Sequence, residues 1–268
     1  MNSRSTGLPI RSMRDTVAIK NISKGAMDAY RGALAPSERP MWPEAYLGDD
    51  PESAFRFVTE CWWTDNEADR KIELIPKQEF VYDFCSEWVN AYRLRQPMIC
   101  EKSRRIMISW ICRGLETWVM GKQRGSWIII DQTHKNAAEH LWRIDFSLNQ
   151  LKNRKPEMGI EFETRGSVLI KEPTNIILGN GSMITQGHQD AGSAQGKGKT
   201  GVTLEEVSKY ASPSEFWGQA LIVTQGSGEG SGGWVCGIAN ASPNADWLKI
   251  KHNMRARTFL GIDDKDWI

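Results

Sequence analysis

The sequence predicts an α/β protein with a mainly parallel sheet, and three observations carry that expectation. Short, continuous apolar runs at 98–100, 126–130 and 234–238 read as strands buried on both faces. Around them lie segments whose apolar residues recur every three to four positions, the mark of helices with one buried stripe. The two kinds of segment alternate, as the crossovers of a parallel sheet require.

Residues 1–70 read as a small helical N-terminal lead, polar at first and then rich in proline and acids between Pro36 and Pro51. Short helices on the edge of the following domain and a mobile start are expected there. Asp65 to Arg70 is a charged break. After Ile75-Pro76-Lys77-Gln78, a helix carries Phe80, Val81, Phe84, Cys85, Trp88, Val89 and Tyr92 on one face. The strand at 98–100, a basic turn from Glu101 to Arg105 and a helix from about Ser109 to Met120 follow. Trp110, Ile111, Leu115, Trp118 and Val119 form the stripe of that helix. Gly121 to Gly125 ends it, and 126–130 has the composition of a central parallel strand. Thr133 is placed to cap a helix reaching about Leu151, with Ala137, Ala138, Leu141, Ile144 and Leu148 on one face. Strands are expected at 167–170, 175–178 and 182–186, the last two joined by an Asn180-Gly181 hairpin turn. A Gly- and Lys-bearing loop, 187–201, leads into a strand over 200–204 that ends at Glu205-Glu206. A helical stretch, a low-complexity loop at 225–233 and the strand at 234–238 come next. The division expected is a lead (1–70), a core (71–250) and a tail or the start of a linker subdomain (251–268).

A chain of 268 residues can bury one large core or two small ones. Its 40% hydrophobic and 25% charged content suits a globular protein. The net charge of +1 gives no bulk basicity, so contact with nucleic acid must come from local patches. Twelve Trp point to a core rich in large aromatics. Five scattered Cys without a C-x-x-C pair indicate a reducing compartment and argue against structural zinc. The four His are too dispersed for a metal cluster. No apolar run approaches the ~20 residues of a membrane span, and a secretory leader is not seen.

The turn between residues 101 and 109 has the architecture of a phosphate cradle, since backbone N–H groups at a helix N-terminus attract anions. The standard loop reads G-x-x-x-x-G-K-[ST]; here Met107 and Ile108 stand where Gly-Lys would be. Ser109 remains as a group able to hold Mg²⁺, and Lys102 sits at the front of the loop. An ordinary solvated corner is the alternative. Gly198-Lys199-Thr200 spells the end of a standard loop, with Gly192 one residue too far upstream. Were 200–211 a helix, that segment would be the cradle of a helicase-like ATPase or a nucleotide kinase.

Gln78, the turn 101–109, Glu205-Glu206 and Ser242-Pro243-Asn244 fall in chain order at strand ends. In that order and spacing, over roughly residues 70–250, the sequence resembles the ATPase domain of large terminase subunits, the DNA-packaging motors of tailed bacteriophages. Lys102-Ser103-Arg104-Arg105-Ile106-Met107-Ile108-Ser109 looks like a variant loop in which the lysine has moved to the front. A long, flexible lysine can reach β/γ-phosphate oxygens from either end. The resemblance implies a RecA/ASCE-like P-loop core that uses ATP and Mg²⁺. It assigns nucleotide binding to Lys102, Ser103, Arg104, Arg105 and Ser109, with Gln78 reading adenine. Arg104 would also stabilise γ-phosphate charge. Ser109 and Glu205 would hold the metal, Glu206 would act as catalytic base, and Ser242 and Asn244 would sense γ-phosphate and couple it to motion. Lys197 and Lys199 would face DNA or a neighbouring subunit's nucleotide.

The sequence departs from the family pattern in lacking a Gly at position 107 and in having Glu205 where Asp is usual, so metal contact through water is expected. Implied partners are double-stranded DNA, a small terminase subunit and the portal of a procapsid. A homo-oligomeric ring when assembled, or a monomer in isolation, is expected in the cytoplasm of an infected bacterium, with no membrane. The clustered acids of the family's C-terminal nuclease are not seen, Asp263-Asp264 being too little, so no nuclease activity is expected. A non-catalytic DNA- or protein-binding module on a degenerate ATPase fold is the other reading.

Overall fold

The computed structural model describes residues 39–66, 71–102, 107–166, 173–188, 199–224 and 233–256. The start of the lead, the strand expected at 167–170, most of the loops at 187–201 and 225–233, and the tail beyond 256 lie outside them. In chain order the elements are α1 (Pro51–Cys61), β1 (Trp63–Asn66), β2 (Lys71–Leu74), α2 (Glu79–Leu94), β3 (Met98–Lys102), α3 (Ile108–Lys122), β4 (Ser126–Asp131), α4 (His134–Arg154), β5 (Phe162–Gly166), β6 (Pro173–Leu178), β7 (Met183–His188), β8 (Gly201–Glu205), α5 (Pro213–Thr224), β9 (Trp234–Asn240) and α6 (Ala245–Ala256).

Seven strands form one sheet in the order β3-β9-β8-β4-β7-β6-β5, and β1-β2 is a separate antiparallel pair. From β3 to β7 the strands are parallel; β6 and β5 continue the sheet antiparallel. Period-two alternation divides the side chains of the central strands between two layers. Trp127 and Ile129 of β4 face a core built with α1, α2, α3 and α4, whereas Ile128 and Ile130 face a second core under α5 and α6. This is the α/β sandwich expected, with β4 central as its apolar run indicated.

Large aromatics fill the first core. Trp88 of α2 lies 4.7 Å edge-on from Trp234 and stacks 6.0 Å from Trp127, with Tyr92 alongside. Trp234 and Trp127 lie at the amino ends of their strands, so the second half of α2 covers that edge of the sheet. Gln78, just before α2, lies ten residues, or about 15 Å of helix, toward the opposite edge.

The described part of the lead completes this core rather than resting on its edge. Trp42, Phe57 and Trp62 are fully buried in it. The Trp42 indole donates to the Trp118 carbonyl at 2.8 Å, and the Trp118 indole donates to that of Tyr46 at 2.7 Å. Gly121 is what admits Trp42, because a Cβ there would lie 2.2 Å from the ring. The β1-β2 pair and the edge strand β5 were not anticipated. The Asn180-Gly181 turn joins β6 to β7 as expected, with Gly181 at φ 78°.

Candidate active site at the carboxyl ends of the strands

The parallel register sets which residues meet. Lys102 pairs with Asn240, Glu205 with Ile238, and Ile130 with Leu204, one residue short of Asp131 and Glu205. Lys102, Asn240, Glu205 and Asp131 therefore share one edge of the sheet, the carboxyl edge where open α/β folds bind ligands. Lys102 belongs to β3 itself rather than to the turn after it.

Helix α3 runs away from this edge over β8. Its Ser109, Arg113 and Glu116, spaced i, i+4 and i+7, form a polar line on an otherwise buried apolar helix. That line meets Thr203 and Glu205, two alternating residues of β8. The Lys102 Nζ donates to Ser109 Oγ at 3.0 Å, and Ser109 Oγ donates to Glu205 Oε2 at 3.3 Å. Arg113 donates from Nη1 to Glu205 Oε1 at 3.0 Å. Its Nε and Nη2 fork onto Glu116 at 2.7 and 2.6 Å. Thr203 Oγ1 donates to Glu116 at 2.5 Å and accepts from the Trp127 indole at 3.1 Å. Arg113, Glu116 and Thr203 are wholly buried, and Glu205 is 1% exposed.

Charge decides the protonation states here. Burial would raise the Glu205 carboxyl, but the charges around it, Arg113 and Lys102 foremost and His140 only when protonated, outweigh it and hold the group below its usual range. Burial drives His140 well below an ordinary imidazole, with Glu205 opposing and Arg113 adding to the effect. With that ring neutral at pH 7, the cations holding Glu205 ionised are Arg113 and Lys102. His140 Nε2 contacts Asp131 at 3.0 Å, so α4 is tied to the same edge.

Glu206 takes the left-handed conformation, φ 51° and ψ 33°, which is strained for any residue with a Cβ. Asn240 Nδ2 donates to both its oxygens at 2.9 and 3.0 Å. Lys102 Nζ stands 3.7 Å and Lys209 Nζ 3.0 Å from the carboxylate. The strain and these contacts turn the side chain toward Lys102 and away from the path of β8.

Of the residues singled out from sequence, Lys102, Ser109, Glu205 and Glu206 come together. Gln78 precedes α2 without capping it through its side chain. Ser103, Arg104, Arg105 and Lys197 lie outside the described residues. Asn244 caps α6 instead of reaching the acids, its Oδ1 accepting from Asp246 and Trp247 N–H at 3.0 and 3.1 Å. Ser242 Oγ accepts from the Asn244 N–H. Lys199 lies at the opposite end of β8, where its Nζ donates to Ser126 Oγ at 3.0 Å. The helix that a Gly198-Lys199-Thr200 cradle needs is absent: Gly201 opens a central strand. Met107 stands at the missing glycine's position, and its partly buried side chain packs against the main core. Sequence reading missed Arg113, Glu116, Thr203, His140, Asp131 and Asn240. The signal available was the i, i+4, i+7 polar line within an apolar helix.

The described elements define an α/β fold with strand β3 and helix α3 at one sheet edge and an acid pair at the end of the central strand β8, with β9 between β3 and β8. No family model matches the sequence, and no curated protein matches it. Among solved structures, the HK97 bacteriophage large terminase aligns at 15% identity over 78% of this chain and 42% of its own, with a TM-score of 0.60. The large terminase of a thermophilic bacteriophage in complex with ADP aligns at 16% over 66% and 40%, TM-score 0.44. A Thermus phage large terminase ATPase domain aligns at 14% over 63% and 84%, TM-score 0.38. The first likeness shows the fold: this chain has the RecA-like α/β fold found in a phage large terminase, as its motifs suggested. It spans less than half the length of the HK97 protein. Among the described residues no helix is long and apolar enough to cross a membrane.

Proposed function

We propose that the chain is the ATP-hydrolysing domain of a viral large terminase, using Mg²⁺ and ATP to drive double-stranded DNA into a procapsid. One observation carries the reading: Lys102, Ser109, Glu205 and Glu206, from separate parts of the chain, converge at the carboxyl edge beside β3 and α3. Lys102 would bind β/γ-phosphate oxygens, Gln78 adenine, and Ser103, Arg104 and Arg105 the remaining phosphate surface, with Arg104 offsetting transition-state charge.

The residues present fit a divalent cation that arrives with phosphate. Ser109 Oγ and Glu205 Oε2 are 3.3 Å apart, close to the ~3 Å edge of an octahedron with bonds of about 2.0–2.1 Å. Among the described residues no group of three His, Cys, Asp or Glu could hold a metal alone. A cation held by one carboxylate, one hydroxyl and substrate phosphate is the usual magnesium arrangement. When bound, it would neutralise developing phosphate charge. Glu205 reaches Ser109 directly, so its extra methylene does not require a bridging water.

Glu206 would take the proton of the attacking water, its carboxylate fixed by Asn240. Asn240, at the end of β9, then has the position expected earlier of Ser242 and Asn244, and Ser242-Pro243-Asn244 would pass its motion to α6. Lys197 and Lys199 remain proposed contacts to DNA or a neighbouring subunit, Lys199 at the far edge of the sheet. The division into 1–70, 71–250 and 251–268, a homo-oligomeric ring, and partnership with a small terminase subunit and portal belong to the same proposal. So do a location in the cytoplasm of an infected bacterium and the lack of nuclease activity. The test is ATP hydrolysis by Lys102→Ala and Lys199→Ala. Loss in the first with retention in the second supports the reading. No nucleotide binding by the wild type at millimolar ATP, with or without Mg²⁺, supports a non-catalytic binding module instead.

A further inference from the structure

The polar line behind the acid pair has a direction. Trp127 N–H occupies the acceptor side of Thr203 Oγ1, so the Thr203 hydroxyl hydrogen points to Glu116. Glu116 receives that hydrogen and two from Arg113, and donates none, as an ionised carboxylate does. With both Glu116 oxygens taking the Arg113 fork through Nε and Nη2, Glu205 receives one bond from Nη1, on Oε1. Oε2 is left to Ser109. Glu116, Arg113 and Glu205 together carry one net negative charge within almost fully buried side chains. A buried excess charge calls for a cation nearby. Lys102 fills that need here through Ser109.

We infer that Arg113, held by Glu116 and Thr203, is a positioning residue that aims Glu205 Oε2 at Ser109 and sets the affinity of the site for a divalent cation. This rests on the proposal that Ser109 and Glu205 hold that cation. Glu116 matters as much as Arg113. Without its charge, the full guanidinium charge acts on Glu205, the excess negative charge disappears, and the cation is held less tightly.

The experiment titrates Mn²⁺ into the protein with a fluorescent ATP analogue and reads the half-saturating Mn²⁺ concentration for metal-dependent binding. Analogue affinity in EDTA is measured beside it. Two variants are used: Glu116→Gln, which keeps the shape and removes the charge, and the paired Arg113→Met with Glu116→Leu, which replaces the buried ions by apolar groups. Each is expected to raise half-saturating Mn²⁺ by about tenfold, the lower end of what loss of an outer-shell partner costs a metal site: Glu116→Gln by removing the excess negative charge, and the paired variant, which keeps that net charge on Glu205, by losing the Arg113 bond that orients its carboxylate. Affinity in EDTA should not change, because Lys102 is untouched. A purely structural role for Arg113 would lower both affinities together or neither. Wild-type Mn²⁺ dependence in either folded variant overturns the inference while leaving nucleotide binding in place. A wild type that binds the analogue in neither condition overturns the underlying proposal, and this one with it.

Discussion

Removing Arg113 alone should be among the most damaging single changes in the chain, and a double-mutant cycle shows why. Arg113→Met deletes the two bonds to Glu116 and the one to Glu205. It strands two carboxylates exposed by no more than 1%. Breaking a buried pair from one side costs about 3–5 kcal/mol. Glu116→Leu leaves the guanidinium with Glu205 only and deprives Thr203 of its acceptor, a cost of similar size. Replacing both members at once removes the stranded Glu116 charge and leaves only Glu205, which keeps Ser109 and, through it, Lys102. The paired variant should therefore cost no more than either single change, giving a coupling energy on the order of 3 kcal/mol or more. Urea unfolding followed by tryptophan fluorescence measures all four corners, with midpoints compared at constant m-value. Costs that add within about 0.5 kcal/mol would refute the claim that Arg113 and Glu116 act as one buried ion pair.

Other parts of the structure give independent predictions. Glu206→Gly relieves left-handed strain of about 1–2 kcal/mol but loses the Lys209 and Asn240 contacts. Its melting point should stay near wild type while ATP turnover falls about a hundredfold or more if Glu206 is the base proposed above. Gly201→Ala puts a Cβ 2.4 Å from the buried Trp127 ring, which Trp88 and Trp234 prevent from moving. About 1–3 kcal/mol should be lost in a thermal melt. At the start of α1, burial would raise the Asp50 carboxyl, but the Ser53 N–H and hydroxyl outweigh it and lower it. A folded value below the unfolded one stabilises above the ordinary Asp range, and the benefit disappears as pH falls through the folded value. Asp50→Ala should thus cost about 1 kcal/mol at pH 7, with the variant and wild-type stabilities converging on acidification.

Much of the fold was legible because buried parallel strands announce themselves. The runs at 126–130 and 234–238 contain almost nothing polar, and the stripes of α2, α3 and α4 have regular spacing. What escaped lacks such a pattern. β5 is exposed along nearly its whole length, so no alternation marks it. β1 and β2 form a short pair held by its neighbours. The strand after Trp234 reads as finished at Ile238, yet it continues to Asn240, which is how the residue that grips Glu206 was passed over for Ser242 and Asn244. Lys102, Ser109 and the two glutamates were visible as a basic bend and an acid pair. Arg113 and Glu116 were not, because their meaning depends on Thr203 and Glu205, and only the packing of α3 on β8 brings those together.

The most direct test is a crystal structure with a non-hydrolysable ATP analogue and Mg²⁺. The account predicts phosphates at the carboxyl edge, the Lys102 ammonium on β/γ-oxygens, and the metal between Ser109 Oγ and Glu205. Phosphates beside Lys199 at the other edge, or a metal remote from Glu205, would contradict it.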